Sequence, residues 1–309
     1  MHALRASLLA CLITARLAAT APAPALPAPP TRDWGKHLFD SFKAPVPPQH
    51  LVGNIYYVGA SGVSSFLITT PEGHILLDTG FEDTVPLIQR SIEQLGFKWT
   101  DIRIILSSHA HIDHTGGHAL MKKLTGARVF ASAGDAAVLE SGGAADFLPF
   151  PPDTIRYAPV TVDRTVADGE QVTLGGVTLT AHLTPGHTRG ATTWTMEVAD
   201  EGRVLHVVFF SSTTLNPGTR LLRGASYPGI VADYEQTFAT LKALPCDIFF
   251  APHGGQFAMA DKFARIDRGG GPNPFIDPDG WRALLVTVEK AFRDQLAAEQ
   301  AGEGGAGTR

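Results

Sequence analysis

Residues 107–118 read SSHAHIDHTGGH, four histidines and one aspartate in twelve positions, directly behind the apolar run IRIIL. Imidazole nitrogen and carboxylate oxygen are zinc ligands, and a catalytic zinc keeps about three protein ligands with one position open. In an extended segment alternate residues point the same way, so His109 and His111 can converge on one ion. Asp113 and His114, at the turn that follows, face a neighbouring point. Two histidines are half a zinc site, so more ligands must come from elsewhere in the chain.

Of the twelve histidines, two others stand in turn-like contexts of the right kind: His187 in TPGHTRG and His253 in APHGGQ. Each follows a strand-like run beside glycine, which permits the tight backbone that aims a side chain out of a sheet end. His182 and His206 lie inside strand patterns, and His37, His50 and His74 stand alone; these read as structural. His118 falls in the next helix, as a supporting or surface group. A solvated histidine-rich loop would not explain two further His-Gly elements at later strand ends, so the reading is a metal centre.

The elements that must position these ligands follow from periodicity. Short alternating or apolar runs recur from Val52 (NIYYVGA, VSSFLITT, HILLDT, IRIILSS, ARVFAS), with helical patterns at DTVPLIQRSIEQLG and HALMKKLTG, each closed by glycine. The second half repeats the theme with EQVTLGG, VTLTAHLT, ATTWTMEV, RVLHVVFF and CDIFFAP, then the helices VADYEQTFATLKAL and DGWRALLVTVEKAFRDQLAAEQ. Two halves of this kind predict an α/β fold, a four-layer αββα sandwich of two mixed sheets packed face to face with helices outside. Two long Gly/Pro-rich stretches, SGGAADFLPFPPDTIRYAP and STTLNPGTRLLRGASYPG, depart from regular structure and read as functional loops.

Composition sets the bounds. With 44% hydrophobic and 18% charged residues in 309, the chain is an ordinary globular one. Residues 1–25 place Arg5 before an apolar run and end in alternating Ala and Pro, a cleaved secretory signal that predicts a periplasmic protein. Residues 26–300 are read as a single domain with an extended Pro/Ala-rich leader, and 301–309 as a disordered tail. Loss of residues 1–25 removes two arginines and no acid, taking the formal charge from −5 to −7 and arguing against a nucleic-acid partner. No run of roughly 20 apolar residues marks a membrane span. Of the two cysteines only Cys246 then remains, a buried inert thiol that forms no intrachain disulfide, and the default state is a monomer.

With H-x-H-x-D-H and two later histidines, the chain resembles the metallo-β-lactamase superfamily from about Trp34 to the end of the terminal helix, and within it subclass B3. The resemblance implies that His109, His111 and His187 hold one zinc ion and Asp113, His114 and His253 a second. It makes Asp78, in ILLDTG, a structural element and not a ligand, and SGGAADF an active-site loop. Glyoxalase-II-type thioesterases and many lactonases are expected to carry a metal-bridging Asp after the strand RVLHVVFF, and subclasses B1 and B2 a Cys. This chain reads FFSSTTLNPG there, as B3 enzymes do, which aligns Ser212 and Thr214 with substrate-binding positions. Nitrogen at His111 suits zinc better than iron.

The implied activity is hydrolysis of the amide bond of β-lactam antibiotics by a water shared between two zinc ions, hence antibiotic resistance. Asp113 is the implied catalytic residue, orienting that water. Phe147, Phe150 and Tyr227 are candidate apolar walls for the substrate's side chains. Two alternatives stand: another dinuclear-zinc hydrolase of the same fold, a lactonase or thioesterase, and a non-catalytic periplasmic zinc-binding protein, for which a closed coordination shell is expected.

Overall fold

The computed structural model describes residues 38–269 and 271–306. Its first sheet has seven strands in sequential order: β1 (Gln49–Val52), β2 (Ile55–Tyr57), β3 (Phe66–Thr70), β4 (Gly73–Leu77), β5 (Ile102–Leu106), β6 (Arg128–Ser132) and β7 (Arg164–Val166). The first four pair antiparallel and the last four parallel. The second sheet has the order β12-β11-β10-β9-β8, built from β8 (Gln171–Leu174), β9 (Val177–Leu183), β10 (Thr192–Asp200), β11 (Arg203–Phe209) and β12 (Ile248–Phe250). It is antiparallel except for the β11–β12 pair. Both sheets are therefore mixed, as expected.

Alternation decides which residues lie between the sheets. In β3, β4 and β5, Phe66, Ile68, Ile75, Leu77, Ile104 and Leu106 join a core with Ala181, Trp194, Val207 and Phe209 of the second sheet. Their sequence neighbours Leu67, Leu76 and Ile105 point the other way, onto a separate core. Strands apolar at every position are strands buried on both faces. The covering layer here is α2 (Val85–Gln94), α4 (His118–Thr125) and α5 (Ala133–Glu140), through Ile88, Ile92, Met121 and Leu139. Helix α4 stops where the sequence predicts, because Gly126 takes the left-handed conformation (φ 73°) that closes a helix cheaply.

Outside the second sheet, α7 (Ile230–Ala243) and α9 (Pro278–Ala306) pack through Tyr234, Phe238 and Phe292. Helix α8 (Met259–Arg268) adds Phe263 to the main core and buries the Lys262 ammonium against the Asp277 carboxylate, 2.8 Å away. Three shorter pieces matter for the site: residues 38–42, helical and labelled α1, then α3 (Ile112–Thr115) and α6 (Pro152–Ile155). The terminal helix runs to Ala306, beyond the Gln300 at which periodicity ends the domain; that much of the predicted disordered tail is helical. The signal and most of the leader lie outside the described residues. No described helix is long and apolar enough to cross a membrane.

Candidate metal centre

All six predicted ligands meet at one edge of the sandwich. His109 and His111 follow β5, Asp113 and His114 sit in α3, His187 lies in the β9–β10 connection and His253 follows β12. Their ligand atoms fall into two groups, His109–His111–His187 and Asp113–His114–His253, each with all atoms within 4.8 Å of one another. This is the three-and-three division expected from the resemblance. The groups adjoin, with the His109 and His114 rings 4.2 Å apart.

The backbone that brings them together is pinned from both sheets. Ser108 presents its carbonyl to the Thr192 N–H (2.8 Å) and the Ser211 hydroxyl (2.9 Å), tying the end of β5 to β10 and to the segment after β11. Asp78 takes a left-handed backbone (φ 59°), which Asp tolerates better than most residues, and its carboxylate accepts the Ser108 N–H at 2.8 Å. Asp78 is thus a support for the histidine segment, as predicted, with burial pushing its pKa up to about 6. His118 is fully buried between the hydroxyls of Thr79 (2.8 Å) and Ser107 (2.9 Å), so it supports and does not face solvent.

The donor set fits a metal. A carbonyl can only accept, so His187 donates its Nδ1–H to Thr214 O (2.7 Å) and His253 its Nδ1–H to Gly62 O (2.9 Å). Fixing that tautomer leaves the Nε2 lone pair free, the usual arrangement of a metal-binding histidine. His111 Nε2 and both ring nitrogens of His114 are buried and make no hydrogen bond of good geometry, with only the Asp146 and Asp113 carboxylates facing His111 Nε2 and His114 Nε2. Orphaned buried nitrogens are costly unless something binds them. Burial, reinforced by the neighbouring histidines, holds the pKa of His109, His187 and His253 down, so these rings are neutral and able to ligate. Burial opposes ionisation of Asp113, but the His114 ring beside it, 3.2 Å away, outweighs that effect and holds the pKa down.

A cavity of about 130 Å³ opens over the six residues, walled by Phe39 and Phe42 of α1, Ile112, Leu148, Phe150 and Ile155, with Thr214 and Asn216 as polar members. A larger open groove, about 900 Å³, lies on the solvent face of the second sheet along Thr180, His182, Thr195 and Glu197. It contains none of the six ligand residues, so convergence of chemistry, and not size, selects the smaller cavity.

Several predicted neighbours sit differently. Phe150 lines the cavity, but Phe147 and Tyr227 pack on each other, ring centroids 5.1 Å apart, and do not line it. Thr214 lines the cavity, whereas Ser212 is 2% exposed and turns inward, its hydroxyl 3.0 Å from Thr214 Oγ1. Sequence reasoning missed Asp146, whose carboxylate lies 3.4 Å from His111 Nε2 with a side chain only 5% exposed. Burial acts against charge on both partners, yet the pair outweighs it, raising the pKa of His111 and lowering that of Asp146. Its signal is the acid of SGGAADF, within the loop that the resemblance places at the active site. Phe39 and Phe42 carried no signal at all in the leader.

His118 allows a test in the metal-free chain. Burial, with His114, pushes its pKa down to about 3, so the folded chain keeps it neutral while the unfolded chain protonates it below about 6.5. Folding then excludes a proton, and stability falls as pH drops from about 6.5 toward 3, by at most about 1.4 kcal/mol per pH unit for this residue. In His118→Gln the urea midpoint should change less between pH 7 and pH 5 than in the wild type. Parallel pH profiles would refute the assignment.

Residues 58–253 match the metallo-beta-lactamase superfamily model. The native FEZ-1 metallo-beta-lactamase of Legionella gormanii superposes with a TM-score of 0.82 at 41% identity, over 84% of this chain and 99% of that one. BJP-1, a subclass B3 metallo-beta-lactamase of Bradyrhizobium japonicum, superposes with a TM-score of 0.79 at 42% identity, over 84% and 97%. A hydroxyacylglutathione hydrolase of Rhodospirillum rubrum is 30% identical over 163 residues, 52% of this chain and 50% of that protein. The chain thus spans about half the length of that curated relative.

Proposed function

Because the chain belongs to the metallo-beta-lactamase superfamily, we propose that it is a zinc-dependent hydrolase of the β-lactam amide bond. Two zinc ions would be held by His109, His111 and His187 and by Asp113, His114 and His253. Bound there, zinc supplies Lewis acidity toward a carbonyl oxygen and lowers the pKa of a water. Asp113, kept ionised, is the chain's own group for orienting that water and accepting a hydrogen bond from it. Thr214 and Asn216 present hydrogen-bonding groups to the substrate's carboxylate, and Ser212 holds the Thr214 hydroxyl in place. Phe39, Phe42, Leu148 and Phe150 give the cavity apolar walls that exclude water. The signal-like residues 1–25 support action in the periplasm.

The observation that carries the lactam reading is the segment after β11. Ser211 donates to Ser108 O, Ser212 meets Thr214, and Thr214 Oγ1 lies 3.2 Å from His187 Nδ1, so that strand end brings hydroxyls and no carboxylate to the site. A metal-bridging aspartate there is what the thioesterase reading expects, and the similarity to hydroxyacylglutathione hydrolase makes that reading the one to test against. With zinc present, the purified chain should turn over a chromogenic cephalosporin and a carbapenem with kcat/KM at least about 100-fold above that for a lactoylglutathione thioester, a gap of about 2.7 kcal/mol in transition-state binding. EDTA should abolish both. Efficient thioester cleavage with lactams left intact would replace this proposal with the thioesterase one.

A further inference from the structure

Asp135, in the first turn of α5, lies outside both triads yet touches the backbone that carries three of the six ligands. It is 1% exposed and uses both carboxylate oxygens. One accepts the Ala110 N–H and the Thr188 hydroxyl, each at 2.9 Å, and the other accepts the Gly190 N–H at 2.9 Å. Ala110 stands between His109 and His111, while Thr188 and Gly190 follow directly after His187. A single side chain therefore joins the two loops, from different sheets, on which the three-histidine group depends.

The join leaves no slack. A Cβ on Gly190 would stand 2.2 Å from Asp135 N and 2.2 Å from Ser132 Oγ, and one on Gly134 would stand 2.5 Å from Arg189 O. Ser132 adds a hydrogen bond to Gly190 O at 2.6 Å, so the 187–190 turn is seated directly on the start of α5. The second group is fixed by other means: Asp113 and His114 by α3 and the Thr79–His114 backbone bond, His253 by Gly62 O.

We propose that Asp135 is a positioning residue for the three-histidine metal site alone, setting its affinity by holding the His109–His111 segment and the His187 turn at their mutual distance. The inference rests on the metal reading above. Groups that orient ligands from outside the coordination shell typically change metal affinity by about 10–100-fold. In Asp135→Asn the volume is kept, but an amide N–H replaces one oxygen and meets the donors it formerly accepted, so the two loops are pushed apart.

The experiment is a zinc titration of the whole chain against a competing chromogenic chelator, for wild type and Asp135→Asn. Chains with His187→Ala or His253→Ala, each lacking one group, assign the two binding steps. The expected result is one site weakened about 10–100-fold, the one missing in His187→Ala, with the other at wild-type affinity. Val138→Ala, which opens a gap elsewhere in α5, should lower the melting temperature and leave both affinities in place. Equal weakening of both sites, or no weakening, overturns the inference while leaving the metal reading intact. A wild-type chain that binds no zinc overturns both. If Asp135→Asn does not fold, Thr188→Val removes one of the three donors and should weaken the same site to a smaller extent; unchanged affinity there is equally decisive against the proposal.

Discussion

Replacing His187 with alanine should lower hydrolysis of a chromogenic cephalosporin by at least about 1,000-fold at saturating zinc, the equivalent of about 4 kcal/mol in the barrier. The size follows from what the residue does. His187 is one of only three ligands in its group, and its ring stands 4.6 Å from those of both His109 and His111. Among the described residues no other histidine, cysteine or acid has its ligand atom grouped with all three, Asp146 facing His111 alone. The imidazole also fixes the substrate side, since its Nδ1 donates to Thr214 O and lies 3.2 Å from Thr214 Oγ1. Removing it therefore takes away a ligand and loosens Thr214 together. Counting bound zinc alongside the rate separates these effects: the variant should retain about one ion per chain, held by Asp113, His114 and His253. Activity within tenfold of wild type would show that the three-histidine group is not where catalysis takes place.

The second large effect is expected in stability. Trp194 is fully buried between the sheets, opposite Phe209 and Ala181 in its own sheet, and its indole N–H donates to Ser107 O at 3.0 Å. Trp194→Ala should cost about 3–5 kcal/mol, because a cavity of indole size in a close-packed core closes only in part. Trp194→Phe keeps most of the apolar volume and leaves the Ser107 carbonyl without that donor, for about 1–3 kcal/mol. Urea unfolding of the metal-free chain at constant pH measures both. Should the phenylalanine variant match the wild type, the bond to Ser107 contributes nothing net. Ser107 opens the histidine segment, so the same contact that closes the core also sets where the ligands begin.

The ligand residues and the order of elements were legible because both are written locally. Imidazole and carboxylate at H-x-H-x-D-H spacing behind an apolar strand, and His-Gly at two later strand ends, are short-range patterns whose chemistry survives any arrangement of the rest. The same holds for the helix stop at Gly126 and for the apolar runs Phe66–Ile68, Ile75–Leu77 and Ile104–Leu106 of β3, β4 and β5, which are buried on both faces. The two irregular loops were recognised as loops, but their side-chain directions were not, since no periodicity constrains them. Ser212 turned inward and Thr214 outward, and Phe147 and Tyr227 found each other and not the cavity.

What only the tertiary structure decided is which distant residues meet. Asp146 reaches His111, Asp135 joins the His109–His111 segment to the turn after His187, and the Phe42 ring lies 5.1 Å from that of His253. SGGAADF marks the Asp146 loop but not its partner, and the other two pairs have no sequence signature, because each pairing depends on how far one sheet is displaced over the other and on how the loops between them fill the gap. The sequence by itself determined the six residues that converge as candidate ligands and the layers that carry them, through residue type and period. The relative placement of those layers, and with it the surroundings that tune the ligands, came from packing.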